Sequence, residues 1–246
     1  MKPIQAALRC PDCGAPCQGP SGGTEPYRCT GCQRTFPLLH GVLHMAPKEV
    51  DAATRQTVDQ FGASWSAHEY LAPYQERQFL DWIAPFSREG FEGRTVLEAG
   101  CGKGRHTFLM AGYGVGELLA VDLSEAVYLA AEYTKAFPWV HRIRADLLRL
   151  PLADGEVDLA VCLGVLHHLK DPEGGLRELW RVLRPGGTLR PLAEELLSDR
   201  VLGRVPFLDP AEPRRLWREH LEKRADHRKP LWALLCFLDF WNRRVA

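Results

Sequence analysis

The chain has 246 residues, with 31 basic and 31 acidic side chains and a sequence pI of about 7.1. This neutral balance argues modestly against nonspecific nucleic-acid binding, and no apolar run reaches the roughly 18 residues that a membrane span needs. The length and the 46% hydrophobic content suit one α/β domain with a small appendage, in a protein that we expect to be cytoplasmic.

The N-terminal segment carries two CxxC pairs, Cys10 with Cys13 and Cys29 with Cys32, separated by fifteen residues. This spacing is typical of a structural zinc site, in which four thiolates leave no position for water. Disulfide pairing is the less favoured alternative, because no signal peptide precedes the cysteines. A segment of roughly 45 residues has little core, so bound Zn²⁺ would supply much of its stability. Cys17 is a bystander or a substitute ligand.

A polar linker and several aromatic residues follow. Phe61, Trp65 and Tyr70 are candidates for a lid over a ligand, or else for core residues that anchor a helix. Between residues 74 and 86 the apolar side chains follow helical spacing, which predicts a helix packed on the sheet. The apolar residues of this helix are Phe79, Leu80, Trp82 and Ile83.

A buried strand leads into a glycine-rich turn in the sequence VLEAGCGKG, residues 96–104. Gly100 and Gly102 let the backbone pass close to a ligand where a Cβ would clash, and a helix is predicted from about Arg105. A strand, a glycine turn and a helix in this order indicate a nucleotide-type cofactor loop, although ordinary turns can share the pattern.

Two acids near this turn narrow the choice of ligand. Asp122 ends the next predicted strand, 24 positions after Glu98, where an acid can accept hydrogen bonds from a ribose diol. A dinucleotide enzyme would have glycine at Arg105, whereas this chain has glycine one residue earlier and Glu98 before the first glycine. Both departures favour S-adenosylmethionine, because a carboxylate can accommodate its cationic centre.

The next two predicted strands supply further site residues. Asp146 follows the third strand, where it can accept from an adenine amino group while Leu147 packs on the ring; a helix N-cap is its alternative role. An apolar strand over residues 156–164 leads to His167 and His168. Either imidazole is a candidate general base; alternatively, one of the two residues caps the following helix or contacts the cofactor through its backbone.

The C-terminal fifth departs from this pattern. After the turn RPGGTL a fifth strand is expected, but Pro191 cannot donate in a central ladder, so any strand here is very short or lies at an edge. The remaining sequence predicts helices over residues 193–202, 211–225 and 231–242, with the late strands of the sheet missing.

Residues 94–189 resemble a class I S-adenosylmethionine-dependent methyltransferase of the small-molecule, quinone-biosynthesis-like branch. The resemblance implies an α/β fold with a Rossmann-like, doubly wound and mostly parallel sheet in a core over residues 93–192. Linker and lid helices over 48–92 would precede this core, and a helical segment over 193–246 would follow it. The implied cofactor residues are Glu98, Gly100, Cys101, Gly102, Asp122, Leu123, Asp146, Leu147 and Leu163.

The sequence RTFPLLHGVLHMAP, residues 34–47, resembles the end of the zinc-ribbon activator subunits that pair with methyltransferases. The resemblance implies that this chain carries such a ribbon fused, over residues 1–47, closed by a strand and a glycine turn. His40 and His44 would then be strand and turn residues and not zinc ligands.

Three functional hypotheses follow. The leading one is a methyltransferase acting on a small molecule or biosynthetic intermediate, with S-adenosylmethionine and a structural Zn²⁺. The second is a ribosomal or transfer RNA base methyltransferase whose ribbon presents the RNA, although CLGV stands where an NPPY-like tetrapeptide would indicate amino-group methylation. The third is a noncatalytic cofactor-binding or partner-regulating protein, because the acceptor half of the core departs from the family at Arg190.

Overall fold

The computed structural model describes residues 4, 7–19, 26–52, 54, 55, 58, 74–84 and 86–191. The strands are Cys17–Gln18 (β1), Tyr27–Cys29 (β2), Thr35–Phe36 (β3), Leu38–Leu39 (β4), Val42–His44 (β5), Thr95–Ala99 (β6), Glu117–Asp122 (β7), Val140–Arg144 (β8), Val157–Cys162 (β9) and Leu183–Pro191 (β10). The α-helices are Tyr74–Ile83 (α1), Arg105–Ala111 (α2), Val127–Tyr133 (α3) and Pro172–Val182 (α4). Short 3-10 helices span Arg88–Phe91, Leu147–Arg149 and Leu166–His168. None of the helices in these ranges is long and apolar enough to cross a membrane.

A seven-stranded sheet forms the centre of the molecule, in the order β10-β9-β6-β7-β8-β5-β4. All neighbours from β10 to β5 pair in parallel, and β4 pairs antiparallel with β5. The predicted Rossmann-like parallel sheet is therefore confirmed. The strand that ends at Pro191 occupies an edge among the described strands, where a missing N–H breaks no central ladder.

Helices cover one face of this sheet, and a helix together with the N-terminal segment covers the other. On the first face α1, α2 and α3 bury side chains such as Phe79 and Met110 against Val96. On the second face Leu179 of α4 and Phe36 of the N-terminal segment share a core with Leu97. Alternate residues of β6 thus point to opposite faces, as the pleat of a strand requires. The doubly wound arrangement predicted from the sequence is confirmed.

The N-terminal segment is joined to the sheet along two seams. Val42 to His44 of β5 pair in parallel register with β8, and the amide of Met45 donates to the carbonyl of Arg144 over 2.9 Å. At the second seam, the amide of Arg9 donates to the carbonyl of Pro151 over 3.0 Å. The small antiparallel sheet β1-β2-β3 directly precedes β4 and β5 in sequence, and these two strands belong to the main sheet.

Several predictions concern residues outside the described ranges. They are the lid candidates Phe61, Trp65 and Tyr70 and the three C-terminal helices predicted beyond residue 192. The helix expected over residues 74–86 is α1, which ends at Ile83, and its Phe79 and Ile83 are fully buried.

Candidate functional site

A cavity of about 520 Å³ lies at the carboxyl ends of β6, β7, β8 and β9. Ligands of open α/β sheets bind at such ends, so this is the expected position of a cofactor site. Ten of the eleven cofactor-binding and catalytic residues predicted from the sequence lie on its wall. They are Gly100, Cys101, Gly102, Asp122, Leu123, Asp146, Leu147, Leu163, His167 and His168.

The glycine loop needs glycine for a steric reason at two positions. Gly100 has a φ of +81°, and a Cβ there would lie 2.3 Å from Cγ2 of Val165. Gly104 has a φ of +82° just before α2, and a Cβ there would lie 2.7 Å from the Cα of Ala130. Both contacts are far inside van der Waals distance. The loop can therefore pass between β9 and α3 only with glycine at these positions.

The carboxylate of Asp122 is fixed by three hydrogen bonds. The amide of Gly102 donates to Oδ2 over 2.7 Å, and the amide and hydroxyl of Ser124 donate to Oδ1 over 2.8 and 2.7 Å. The side chain thus ties the end of β7 to the glycine loop after β6. A carboxylate oxygen has more than one acceptor site, so a bound diol could donate to it as well.

Glu98 occupies a different position from the one expected. Its side chain is 3% exposed and does not line the cavity; the hydroxyl of Thr107 donates to it. His106 is near this carboxylate, with its Nδ1 3.6 Å from Oε1 of Glu98. The ring of His106 stacks on that of Phe79 at a centroid distance of 5.0 Å. His106 lines the cavity. The predicted interaction of Glu98 with the methionine part of a cofactor would therefore be indirect and mediated by His106.

Asp146 fills the N-cap position that was its alternative prediction. Its Oδ1 accepts from the amide of Leu148 over 2.9 Å at the start of the 3-10 helix. The same residue lies on the cavity wall beside Leu147, which is buried. Capping and ligand binding are therefore compatible at this position, because a carboxylate has two oxygens.

His167 and His168 lie on the short helix that follows β9. Their ring centroids are 3.8 Å apart, and the ring planes meet at 50°. His167 is partly buried, whereas His168 is exposed, and both contribute to the cavity wall. Their position suits a group that meets an incoming acceptor.

Sequence reasoning missed the basic residues of the wall. Lys103, Arg105, His106 and Lys170 all line the cavity. Lys103 is 6% exposed, and burial together with the positive charge of Arg105 lowers the pKa of its ammonium. The sequence feature that indicates these residues is KGRH, residues 103–106, which runs from the end of the glycine-rich turn into the following helix.

The four predicted thiols form a compact cluster. All Sγ atoms of Cys10, Cys13, Cys29 and Cys32 lie within 4.8 Å of one another, with 3.4 Å between Cys13 and Cys29 and 3.7 Å between Cys10 and Cys32. A disulfide needs about 2.05 Å, whereas tetrahedral Zn–S bonds of about 2.3 Å place sulfurs about 3.8 Å apart. The donor set therefore fits a metal and not a pair of disulfides.

The surroundings of the cluster suit thiolate ligands. Burial opposes ionisation of Cys29, but hydrogen bonds from the amide of Cys32 and from the thiol of Cys13 lower its pKa to about 6. Cys17 is outside the quartet, and burial, reinforced by the neighbouring Cys29, raises the pKa of its thiol to about 12. Cys17 is thus the poorer thiolate donor. His40 lies in a turn and His44 in β5, as predicted.

Comparison with known proteins gives two family matches. The methyltransferase domain matches residues 97–190, and the family described as asparagine synthase matches residues 181–243, most of which lie outside the described ranges. The first match contains the glycine loop and every predicted site residue outside the thiol cluster.

Individual relatives cover part of the chain. It is 28% identical to a tRNA U34 carboxymethyltransferase of Alteromonas mediterranea in an alignment of 195 positions that covers 66% of this chain and 57% of that protein. It is 40% identical to a probable S-adenosylmethionine-dependent methyltransferase of Mycolicibacterium smegmatis over 95 residues, 39% of this chain and 36% of that protein. The chain thus spans about half the length of these relatives, or less.

Solved structures are similar over about half of the chain. One is a SAM-dependent methyltransferase from Aquifex aeolicus, with 26% identity and a TM-score of 0.42 over 50% of this chain and 68% of that one. Another is a complex between the Trm112 methyltransferase activator and a methyltransferase of Haloferax volcanii, with 27% identity and a TM-score of 0.44 over 55% and 57%. The described core has the class I S-adenosylmethionine-dependent methyltransferase fold, and its residues 97–190 match the methyltransferase domain.

Proposed function

We propose that this chain is an S-adenosylmethionine-dependent methyltransferase that acts on a small molecule or biosynthetic intermediate. The observation that carries the proposal is Asp122, an acid at the end of β7 whose two oxygens are held by Gly102 and Ser124 on the cavity wall. This geometry presents a fixed acceptor for a ribose diol beside a loop that leaves room for a ligand. The match of residues 97–190 to the methyltransferase domain supports it.

Different residues of the cavity would bind different parts of the cofactor. Asp122 would accept from the ribose hydroxyls, while Asp146 and Leu147 would contact the adenine. S-adenosylmethionine supplies an electrophilic methyl group on its sulfonium, so the protein chiefly aligns the acceptor and excludes water. His167 or His168 would take the proton from an acceptor that carries one, because a neutral imidazole is a suitable base near pH 7.

The thiol cluster would hold a structural Zn²⁺ through Cys10, Cys13, Cys29 and Cys32. Four thiolates complete a tetrahedron, so this metal would stabilise the fold and would not meet the substrate. The ribbon is connected to the cofactor site by a series of contacts. Strand β5 pairs with β8, and the guanidinium of Arg144 at the end of β8 donates to the carbonyl of Leu123 over 3.0 Å. A ribbon stabilised by metal would in this way support the loops after β7 and β8.

A transfer RNA substrate is the second candidate. The observation in its favour is the tRNA U34 carboxymethyltransferase relative, whose aligned region spans 66% of this chain and so extends beyond the matched domain. The neutral composition and the partial coverage of that relative favour the small-molecule proposal.

Binding and transfer can be tested together. Calorimetry with S-adenosylhomocysteine should give saturable binding to the purified chain and a large loss of affinity in Asp122→Ala; unchanged affinity in the variant would reject the proposed site. Incubation with methyl-labelled cofactor and a cell extract, with and without ribonuclease, then identifies the acceptor. Label in small molecules supports the first candidate, and ribonuclease-sensitive label supports the second. No transferred label, despite binding, would favour a noncatalytic cofactor-binding protein.

A further inference from the structure

The segment that follows the ribbon forms part of the cavity wall. Thr54 and Val58 line the cavity, and the described residues 52, 54, 55 and 58 are helical. We refer to these four residues as the wall segment. Residues four positions apart lie on the same face of a helix, so Thr54 and Val58 face the cavity together. The wall segment precedes the region that matches the methyltransferase domain, residues 97–190, so the shape of the cavity depends on contacts outside that domain.

Asp51 holds the start of the wall segment. Its Oδ1 accepts from the amide of Thr54 over 3.1 Å and its Oδ2 from the hydroxyl of Thr54 over 2.8 Å, while its carbonyl accepts from the amide of Arg55 over 2.9 Å. Oδ2 also pairs with Nζ of Lys170, which lines the cavity after β9. This ion pair is exposed, so it contributes little by itself. The position of Asp51 therefore depends also on the chain that leads to it.

The chain that leads to Asp51 is held by two side chains of the ribbon. The carboxylate of Asp12 accepts from the amide of Lys48 over 3.1 Å and from Nη1 of Arg34 over 2.6 Å. Nη2 of Arg34 donates to the carbonyl of Ala46 over 2.9 Å. The side chains of Arg34 and Asp12 are mostly buried, so solvent screens this ion pair less than that of Asp51. We refer to Asp12 and Arg34 as the clamp.

Both clamp residues lie beside the thiols of the cluster. Asp12 stands between Cys10 and Cys13, and Arg34 follows Cys32 by two positions. A Zn²⁺ bound to these thiols would fix the positions of its ligands, and with them the positions of both clamp residues. Occupancy of the cluster would thereby determine whether residues 46–48 are held.

The connection from the clamp to the cavity is short. Lys48 is three residues before Asp51, so the Cα atoms of these two residues can be at most about 11 Å apart. Such a stretch has little slack, and a displacement of Lys48 would shift Asp51 and the wall segment with it. This connection is distinct from the pairing of β5 with β8, because it ends beside Lys170, after β9.

We propose that Asp12 and Arg34 are positioning residues of the cavity, through which the metal-loaded ribbon holds the wall segment in place and sets the affinity for the cofactor. The inference rests on the proposed methyltransferase function and on the Zn²⁺ proposed for the thiol cluster. It makes the ribbon a regulatory element of the site as well as a structural one. A chain with a broken clamp would keep its zinc and its sheet but bind the cofactor more weakly.

The test compares Asp12→Ala with the unmodified chain. We expect about one zinc per chain in both, because Asp12 is not one of the four thiols. The amides of Thr54 and Arg55 should exchange with deuterium about tenfold faster in the variant, and the affinity for S-adenosylhomocysteine should fall about fivefold. Asp12→Asn should restore part of both, because its side-chain oxygen can still accept from the amide of Lys48. Metal analysis, hydrogen exchange followed by mass spectrometry and calorimetry measure these effects.

Insertion of two glycines after Glu49 tests the connection without a change in the ribbon. The insertion leaves the clamp and the hydrogen bonds of Asp51 in place and adds only slack. It should weaken cofactor binding as Asp12→Ala does, and the two changes together should weaken it no further.

Glu156→Ala is the matched control. Glu156 accepts from the amide of Ala7 over 3.0 Å and so joins the ribbon to the domain just before β9, at the end of that strand opposite the cavity. The variant should leave exchange in the wall segment and cofactor affinity unchanged.

The outcomes separate this inference from the proposed function. Failure of the unmodified chain to bind S-adenosylhomocysteine would reject the proposed function, and exchange of the wall segment in Asp12→Ala would still decide the connection. Unchanged exchange and affinity in zinc-loaded Asp12→Ala, or unchanged affinity in the chain with inserted glycines, would overturn the inference. An equal loss in Glu156→Ala would overturn it as well, because any weaker attachment of the ribbon would then suffice. If Asp12→Ala loses its zinc, the glycine insertion alone decides.

Discussion

The two sides of the cavity are built in different ways. The carboxylate side, after β7 and β8, has Asp122 and Asp146 fixed by backbone amides, and the ribbon supports it through β5. The basic side, after β6 and β9, carries long cationic side chains such as that of Lys170, which pairs with Asp51, and its edge strand β10 ends at Pro191. Under the proposed function, the first side would hold the cofactor.

Loss of the Zn²⁺ proposed for the thiol cluster should have the largest effect on the carboxylate side. Cys29→Ser removes one of four thiolates, and small zinc-binding segments depend on their metal to fold. We expect loss of bound zinc, a melting temperature lower by about 10 °C or more, and weaker S-adenosylhomocysteine binding. Metal analysis, thermal unfolding and calorimetry measure these effects, and a strong chelator should reproduce them.

The matched control for this experiment is Cys17→Ser. Cys17 is partly buried near the cluster but stands outside the quartet, so its replacement should leave the zinc content at one per chain. Full zinc content in Cys29→Ser, or cofactor affinity that is independent of zinc, would contradict the view that the ribbon supports the cofactor loops.

Asp122→Ala should have the next largest effect. The variant removes the proposed acceptor for the ribose diol and also frees the amide of Gly102, so affinity for S-adenosylhomocysteine should fall about a hundredfold, or about 3 kcal/mol. Asp158→Asn is the control, because Asp158 accepts from the amide of Thr95 at the opposite end of β6. It should alter stability but not cofactor affinity. A similar loss in both variants would mean that Asp122 acts only through the fold.

The packing between the loops after β6 and β9, within the basic side of the cavity, can be tested at Gly100. An added Cβ would meet Val165, which follows β9, at 2.3 Å, and the φ of +81° would be strained. Gly100→Ala should cost about 1–3 kcal/mol of stability and weaken cofactor binding. Val165→Ala in the same chain removes the two closest contacts, from Cγ2 and Cγ1, and leaves the Cβ at 3.1 Å and the backbone strain, so it should restore part of the loss. If Val165→Ala restores neither stability nor cofactor binding, the whole loss comes from the strained backbone at residue 100.

The sequence predicted the elements whose signals are local. The helix expected from about Arg105 begins there in the structure, and the strand expected to end at Asp122 is β7. The proposed cofactor residues rest on a similar local pattern, because most of them lie at or just after the end of a strand. The Cys quartet was predicted from spacing alone, and its sulfurs come together as expected.

Features that depend on distant pairing could not be predicted. The residues of β5 have strand-like character, but their partner β8 lies about a hundred positions later, and nothing local identifies it. Glu98 was placed on the cavity because it precedes the glycine loop, yet the alternation of β6 directs it into the protein toward Thr107. The basic side was missed because Lys103 and Lys170 come together only when β6 and β9 pair.

Two substitutions at Asp146 separate its roles as a cap and as a ligand group. Asparagine is as good an N-cap as aspartate, so Asp146→Asn should retain stability, whereas Asp146→Ala should lose about 1 kcal/mol. If the carboxylate also accepts from adenine, S-adenosylhomocysteine affinity should fall about tenfold in both variants. Loss of affinity in the alanine variant alone would leave Asp146 with the capping role only.

The smallest effect concerns the seam that joins the ribbon to the carboxylate side. The hydroxyl of Tyr128 in α3 lies 2.7 Å from Nε2 of His44 in β5. Burial lowers the pKa of His44, as do the charges of Arg144 and His40, while Glu125 opposes them. Because the folded state holds this imidazole neutral, the unfolded state takes up the proton first. The contribution to stability is therefore present above about pH 6.5 and is lost as the pH falls below it.

Removing His44 should remove this pH dependence, whereas removing its partner should not. In His44→Gln, unfolding measured by urea titration from pH 7.5 to 5.5 should show a shallower loss of stability than in the unmodified chain. Tyr128→Phe should lower stability by about 1 kcal/mol at pH 7.5 and keep most of the slope, because the buried imidazole remains. An unchanged slope in His44→Gln would assign the acid sensitivity to groups elsewhere.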